Sequence, residues 1–131
     1  MSQENVNVVR ESVDALNRGD VEGVLATYDP DVTFEPQRAA VQGAYAGHAG
    51  VREWIADTKE SFSAFRLDLD HREIGDDQVL SVGSLHLRGR GSGLETEVPI
   101  ASIATLRDRR VVSLKDYGDR MKALEAAGLS E

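Results

Sequence analysis

Asp116 is the residue of this sequence best suited to chemistry, because it stands at the end of an apolar segment near the C-terminus. In a β-strand, alternate side chains face the same side. One face would then carry Val112, Leu114 and Asp116, and the other Val111, Ser113, Lys115 and Tyr117. Burial disfavours the charged form of a carboxyl group and raises its pKa. A carboxyl group in that setting can act as a general acid or base near neutral pH.

His71 is the second candidate for proton transfer. It alternates with Leu67 and Leu69, and this spacing predicts that all three side chains face inward from one strand. Imidazole titrates near pH 7, so a histidine close to Asp116 could complete an acid–base pair. The alternative is a hydrogen-bonded structural histidine at the edge of a pocket.

The other residues predicted to line a pocket beside Asp116 are mostly apolar, as in most small-molecule sites. The aromatic ones can equally serve as core packing. Ser102 has no apparent base beside it and is not predicted to be a nucleophile. The full predicted lining is Tyr28, Phe34, Tyr45, Trp54, Leu85, Leu87, Val98, Ile100, Ser102 and Leu114.

Composition excludes several classes of function. The 131 residues predict one domain over 1–131, and the net charge of −8 argues against nucleic acid as a partner. There is no cysteine, the three histidines have no metal-ligand spacing, and Gly89–Gly93 lacks the pattern of a dinucleotide or phosphate loop. We therefore expect no metal and no cofactor. No apolar run is long enough to span a membrane, and the N-terminus lacks the features of a signal peptide, so a cytoplasmic location is expected.

The elements that must position these residues are helices first and strands afterwards. Valine and leucine recur at helical spacing up to Gly19, Asp20 is the predicted cap of a second helix that includes Tyr28, and a third helix begins near His48. Strands are predicted at 32–35, 66–72, 79–88, 97–106 and 111–117. Asp119 is the predicted cap of a short last helix whose inward residues are Met121 and Leu124. This order is typical of an α+β fold.

Six short motifs are distributed along nearly the whole chain. They are Leu16–Asp20 (LNRGD), Tyr28–Val32 (YDPDV), Gly43–His48 (GAYAGH), Gly75–Asp76, Lys115–Asp119 (KDYGD) and Ala123–Leu129 (ALEAAGL). In this order they resemble the NTF2-like superfamily, in its SnoaL-like and ketosteroid-isomerase-like branch. The resemblance implies a cone-shaped fold, in which a curved antiparallel sheet wraps a pocket, with three helices in the N-terminal half and a short C-terminal helix. It also implies a homodimer formed through the outer face of the sheet, for which Ser84, His86, Ile103 and Thr105 are the expected surface.

One branch of the family offers a specific comparison for Asp116. The run Lys115–Asp119 looks like the Arg-Asp-Tyr-x-Asp pattern of members similar to limonene epoxide hydrolase, in which the matching aspartate activates water. Those members carry an Arg-x-Asp pair where this chain has Gly83 and Leu85, and a Tyr and an Asn where it has Phe34 and Pro36. Epoxide hydrolysis is therefore disfavoured.

Two hypotheses follow from the sequence. In the first, the chain binds a small hydrophobic molecule in the cone, and Asp116, assisted by His71 or a tyrosine, performs cofactor-independent isomerase, cyclase or lyase chemistry. In the second, the chain is a non-catalytic module for dimerisation or for binding a ligand or protein.

Overall fold

The computed structural model of the chain describes residues 2–36, 45–118 and 120–128. Within them the helices are α1 (Ser2–Asn17), α2 (Val21–Ala26), α3 (Gly47–Ser61) and α4 (Arg120–Ala126). The strands are β1 (Tyr28–Glu35), β2 (Tyr45–Ala46), β3 (Phe62–Glu73), β4 (Gln78–Gly89), β5 (Glu95–Arg107) and β6 (Arg110–Tyr117). None of these helices is long and apolar enough to cross a membrane.

The six strands form one curved, open sheet in the order β2-β1-β6-β5-β4-β3. The predicted α+β class and cone-shaped fold are confirmed. The sheet differs from the expected antiparallel one in a single pair, because β1 and β6 run parallel. Strands β3 to β6 form an antiparallel meander, which leaves β6 beside β1 at the end of the chain.

The second helix is shorter than the sequence predicts. The Asp20 carboxylate accepts a hydrogen bond of 2.9 Å from the Gly23 N–H, as expected of a helix cap. Helix α2 ends at Ala26, and the Thr27 carbonyl accepts a hydrogen bond of 2.9 Å from the N–H of Val111. The prediction that Tyr28 is helical is therefore wrong, because the chain leaves the helix to pair with β6.

Both faces of the sheet bury apolar side chains. The main core lies between the concave face and helices α1 to α3, and it includes Val9, Val32 and Val79. Helix α4 packs on the opposite face, where Ala123 and Leu124 contact the side chains of Leu80, Ala101 and Ile103. The prediction that Met121 faces inward is wrong, since its side chain is 53% exposed. The predicted cap of α4, Asp119, lies outside the described residues, as do the loop residues 37–44.

A bulge reverses the expected faces at the start of β6. Leu106 pairs with Val111 and Thr105 pairs with Ser113, so Val112 is an extra residue in the ladder. Val111 is consequently buried at 1% exposure, whereas the alternation of the sequence had assigned Val112 to the inner face. Beyond the bulge the predicted alternation holds, and Leu114 and Asp116 share the concave face.

Gly83 allows close contact between β3 and β4. It pairs with Leu69 in the middle of the β3–β4 hairpin. A Cβ atom at Gly83 would collide with the backbone carbonyl of Asp68 and lie 3.0 Å from Cα of Leu69. A glycine inside a strand commonly marks such an approach of two backbones or a bend in the sheet.

We predict that Gly83→Ala lowers the free energy of unfolding by about 1–3 kcal/mol, because the new methyl group forces β3 and β4 apart. Urea denaturation measures this change. Ser84→Ala, one residue further along β4, is the matched control and should change the free energy of unfolding by less than about 0.5 kcal/mol. Equal stability of Gly83→Ala and the unaltered protein would contradict the close approach.

Candidate functional site

A cavity of about 80 Å³ lies between the concave face of the sheet and helices α1 to α3. It is several times larger than the roughly 10–15 Å³ that one water molecule requires. The lining is mainly apolar, and five of its side chains carry oxygen atoms. These five are Ser12, Tyr28, Ser81, Ser102 and Asp116.

Asp116 and Tyr28 lie close enough in the cavity to interact electrostatically. Tyr28 is 8% exposed, and burial raises the pKa of its hydroxyl group above the ordinary value. The negative charge of Asp116 raises this pKa further. Tyr28 therefore keeps its proton at neutral pH and can donate a hydrogen bond into an apolar space that also contains a carboxylate.

Ser12 anchors the Tyr28 hydroxyl to helix α1. The Ser12 hydroxyl donates a hydrogen bond of 2.8 Å to the Val9 carbonyl, and the Ser12 and Tyr28 side chains are also hydrogen-bonded. The Ser12 contact lowers the pKa of Tyr28 and so acts against the larger effects of burial and of the Asp116 charge. This contact orients the phenol ring across the cavity.

Four polar residues form one row across the sheet. His71 pairs with Ser81, Ser81 pairs with Ser102, and Ser102 pairs with Asp116, each on the neighbouring strand. Three strand spacings separate the two ends of the row, which corresponds to about 14 Å. His71 and Asp116 therefore do not contact each other directly, because Ser81 and Ser102 stand between them.

His71 lies beside the cavity and is not part of its lining. Its Nδ1 is 2.6 Å from the Ser81 hydroxyl oxygen, and Ser81 itself lines the cavity. Burial lowers the pKa of His71, and the positive charge of Arg10 on α1 lowers it further. The carboxylates of Asp14 and Asp70 act in the opposite direction. The net result is a neutral imidazole at neutral pH.

Aromatic rings form one wall of the cavity. Trp54 stands edge-on to Phe34, with ring centroids 4.9 Å apart, and edge-on to Phe65 at 5.7 Å. All three rings line the cavity. The ring centroid of Tyr45 is 6.2 Å from that of Phe34, and Tyr45 is outside the lining.

Most of the predicted lining residues do face the cavity. Leu85, Ile100, Ser102 and Leu114 line it together with Tyr28, Phe34 and Trp54, as does the predicted catalytic Asp116. The expectation for Tyr45, Leu87 and Val98 is corrected. Leu87 lies two residues beyond the lining residue Leu85 toward the β4–β5 connection, and Val98, although it pairs with Leu85, is outside the lining.

Two polar residues of the lining, Ser12 and Ser81, were not predicted from the sequence. Ser12 follows Val9 by three positions and therefore shares the buried face of α1. Ser81 alternates with Val79, Gly83 and Leu85, which places it on the inner face of β4. A serine at an inward position of an apolar pattern was the available signal in both cases.

The other two histidines lie away from the polar row. His48 Nε2 donates a hydrogen bond of 2.9 Å to the Tyr28 carbonyl, which ties the start of α3 to β1. His86 Nδ1 is 3.3 Å from the Glu97 carboxylate and lies on the outer face, as its alternation with Leu85 predicts. In the described part of the chain, no group of three or more His, Asp or Glu side chains is arranged to hold a metal ion.

A match to a protein family covers most of the chain. Residues 9–114 match the SnoaL-like domain. The chain belongs to the SnoaL-like family. The match runs from the cavity-facing Val9 of α1 to Leu114 of β6, and it confirms the resemblance that the sequence motifs indicate.

Solved structures show the same fold across nearly the whole SnoaL-like chain. An NTF2-like protein of unknown function from Burkholderia pseudomallei is 24% identical, with a TM-score of 0.79, and the alignment covers 93% of this chain and 95% of the other. TerC, co-crystallised with polyporic acid, is 23% identical with a TM-score of 0.78, and the alignment covers 95% of this chain and 98% of TerC. A protein with a ketosteroid-isomerase-like fold from Catenulispora acidiphila, in complex with trimethylamine, is 18% identical with a TM-score of 0.75 and coverage of 94% and 93%. No curated protein matches the sequence.

The lowered pKa of His71 predicts acid sensitivity of the folded SnoaL-like domain. Below pH 6.5, the ordinary pKa of a histidine, the unfolded chain binds a proton at His71 that the folded chain does not bind. The free energy of unfolding should therefore fall as the pH falls through 6.5, and this component should level off below the folded-state pKa.

Urea denaturation at several values between about pH 8 and pH 5 measures this dependence. His71→Gln should remove the component that titrates near pH 6.5, whereas His86→Gln should retain it. An unchanged pH dependence in His71→Gln would contradict the assignment.

Proposed function

We propose that the chain binds a small, largely apolar molecule in the cavity and that Asp116 acts on it as a general base and acid. The observation that carries the proposal is the mainly apolar lining in which the Asp116 carboxylate and the protonated Tyr28 hydroxyl interact. Apolar pockets with a few placed polar groups are the usual form of small-molecule sites.

The arrangement fits removal of a proton from carbon beside a carbonyl group. Asp116 would take the proton, and the oxygen of the ligand would gain negative charge as the bond breaks. Tyr28 would stabilise that charge by donating its O–H to the ligand oxygen, and a donor in an apolar space is effective in this role. Return of the proton to another carbon atom would complete an isomerisation. Attack of the carbanion on a second carbonyl, followed by return of the proton from Asp116 to the new alkoxide, would complete a ring closure.

The structural relatives do not define the ligand. TerC was co-crystallised with polyporic acid, and the Catenulispora acidiphila protein is in complex with trimethylamine. Both are below 25% identity, so they establish the shared fold alone. They do supply a first probe, and Trp54, the single tryptophan of the chain, lines the cavity and would report binding by its fluorescence.

We predict that Asp116→Asn lowers proton exchange at a ligand carbon by about 100-fold or more, because the amide cannot act as a base. The probe is 2-tetralone in D₂O, whose protons beside the carbonyl are followed by NMR. Asp68→Asn, on the exposed outer face of β3, is the matched control and should exchange at the unaltered rate.

Trp54 fluorescence, titrated with 2-tetralone and with polyporic acid, separates binding from chemistry. Binding retained in Asp116→Asn together with lost exchange supports the base assignment. Equal exchange rates in Asp116→Asn and the unaltered protein would overturn it. Binding with no exchange in any variant favours the alternative function, a non-catalytic binding module.

We also propose that the outer face of the sheet forms a homodimer. Helix α4 already covers Ile103 on that face, which removes this residue from the expected contact surface. The remaining surface is on β3 and β4, where Arg66, Asp68 and Arg72 are exposed and Ser84 is half-buried. Alternating charges on one surface suit a two-fold contact, since each positive side chain can meet a negative one of the second copy.

We expect light scattering to show a dimer, and Ser84→Arg to convert it to monomer because the bulky charge stands at the centre of the β4 surface. Ser63→Arg, near the first residue of β3, is the matched control and should remain dimeric. A monomer of the unaltered chain at all concentrations would exclude this interface.

A further inference from the structure

The row His71–Ser81–Ser102–Asp116 offers a connection between the cavity and a histidine outside its lining. Side chains at directly opposite positions on antiparallel strands share one face, with Cβ atoms about 4.5–5.5 Å apart. Hydroxyl groups on such neighbours can hydrogen-bond to each other. The first contact of the row, from His71 Nδ1 to Ser81 Oγ, is 2.6 Å.

We propose that Ser102 and Ser81 link the Asp116 carboxylate to His71 as one directional row of hydrogen bonds, in which neutral His71 carries its proton on Nδ1. The direction of these hydrogen bonds follows from the carboxylate of Asp116 at one end of the row. An ionised carboxylate only accepts hydrogen bonds, so Ser102 donates to Asp116. The Ser102 oxygen then accepts from Ser81, and the Ser81 oxygen accepts from His71 Nδ1–H.

Protonation of Asp116 reverses the row without transferring a net proton to the histidine. Protonated Asp116 donates to Ser102, each hydroxyl group turns about its C–O bond, and Ser81 donates to Nδ1. His71 Nδ1 releases its proton to water and Nε2 takes one from water, so the imidazole remains neutral. His71 is thus a positioning residue, whose tautomer follows the charge on the cavity carboxyl group.

The surroundings of His71 favour a neutral ring that can hold either tautomer. Arg10 and Asp14 face it from α1, Asp70 is its neighbour on β3, and Ser81 faces it from β4. The opposite signs of Arg10 and Asp14 limit the net charge on the α1 side. Ser81 is 2% exposed, so its hydroxyl group is shielded from bulk water.

This inference deepens the proposed role of Asp116, and its test needs neither ligand nor turnover. Long-range ¹H–¹⁵N NMR of the ligand-free protein distinguishes the two imidazole tautomers. His48, which donates from Nε2 to the Tyr28 carbonyl, is an internal reference for the Nε2–H form. At neutral pH we expect the opposite pattern for His71, with the proton on Nδ1.

Asp116→Asn and Ser102→Ala should each shift His71 toward the Nε2–H form, because Asn can donate to Ser102 and Ala interrupts the row. Ser113→Ala, on the opposite face of β6, is the matched control and should leave the tautomer unchanged. Ser102→Thr keeps a hydroxyl group and should retain the Nδ1–H form, which tests the row if Ser102→Ala fails to fold.

A through-space effect of the Asp116 charge gives a different result. It would act in Ser102→Ala as well, because this variant keeps the Asp116 charge, so the Nδ1–H form would persist there. An interrupted row instead shifts His71 toward the Nε2–H form, and a tautomer that changes in Asp116→Asn alone would overturn the row. An Nε2–H form of His71 in the unaltered protein would overturn the inference. So would an Nδ1–H form that is unaffected by both Asp116→Asn and Ser102→Ala. If the unaltered protein catalyses no proton exchange but shows the expected tautomers, the result would contradict the proposed chemistry and support the row of hydrogen bonds.

Discussion

The pairing register of β3 to β6 is the constraint on which the cavity and its polar groups depend. Each strand alternates inward and outward side chains, so a shift of one residue in any pair would turn an inward set outward. The observed register places Ser81, Ser102 and Asp116 on the same side as the apolar lining. The bulge at Val112 adjusts the register of β5 and β6 locally. Gly83 allows the close contact of β3 and β4 within a regular part of their pairing.

The apolar lining determines how the few polar groups behave. Charges and dipoles interact more strongly away from water, so the Asp116 carboxylate affects the Tyr28 hydroxyl in a way that an exposed pair would not show. The contact of Tyr28 with Ser12 on α1 and of His71 with Ser81 on β4 holds these groups in place. Preorganised polar groups in a dry space are the property that binding sites and catalytic sites share.

The sequence predicted the parts of the site that depend on the pattern within one element. Alternation within strands correctly placed Leu85, Ile100 and Asp116, and the family motifs correctly predicted the fold. It could not predict relations between elements. The separation of His71 from Asp116 depends on the pairing of four strands, and the inward position of Val111 depends on a bulge that interrupts the alternation. Tyr28 was assigned to a helix because local spacing carries no sign of its pairing with distant Val111.

The parallel pairing of β1 with β6 has a consequence for how the molecule is assembled. Strands β3 to β6 follow one another through short turns, so their pairing closes only small loops, whereas β1 meets β6 after nearly the whole intervening chain. Loop closure costs more conformational entropy as the loop grows, and contacts between distant residues slow folding. Tyr28 belongs to β1 and Asp116 to β6, so their meeting is among the highest contact-order events of the chain. The cavity therefore depends on the strand pairing with the largest loop-closure entropy in the described part of the chain.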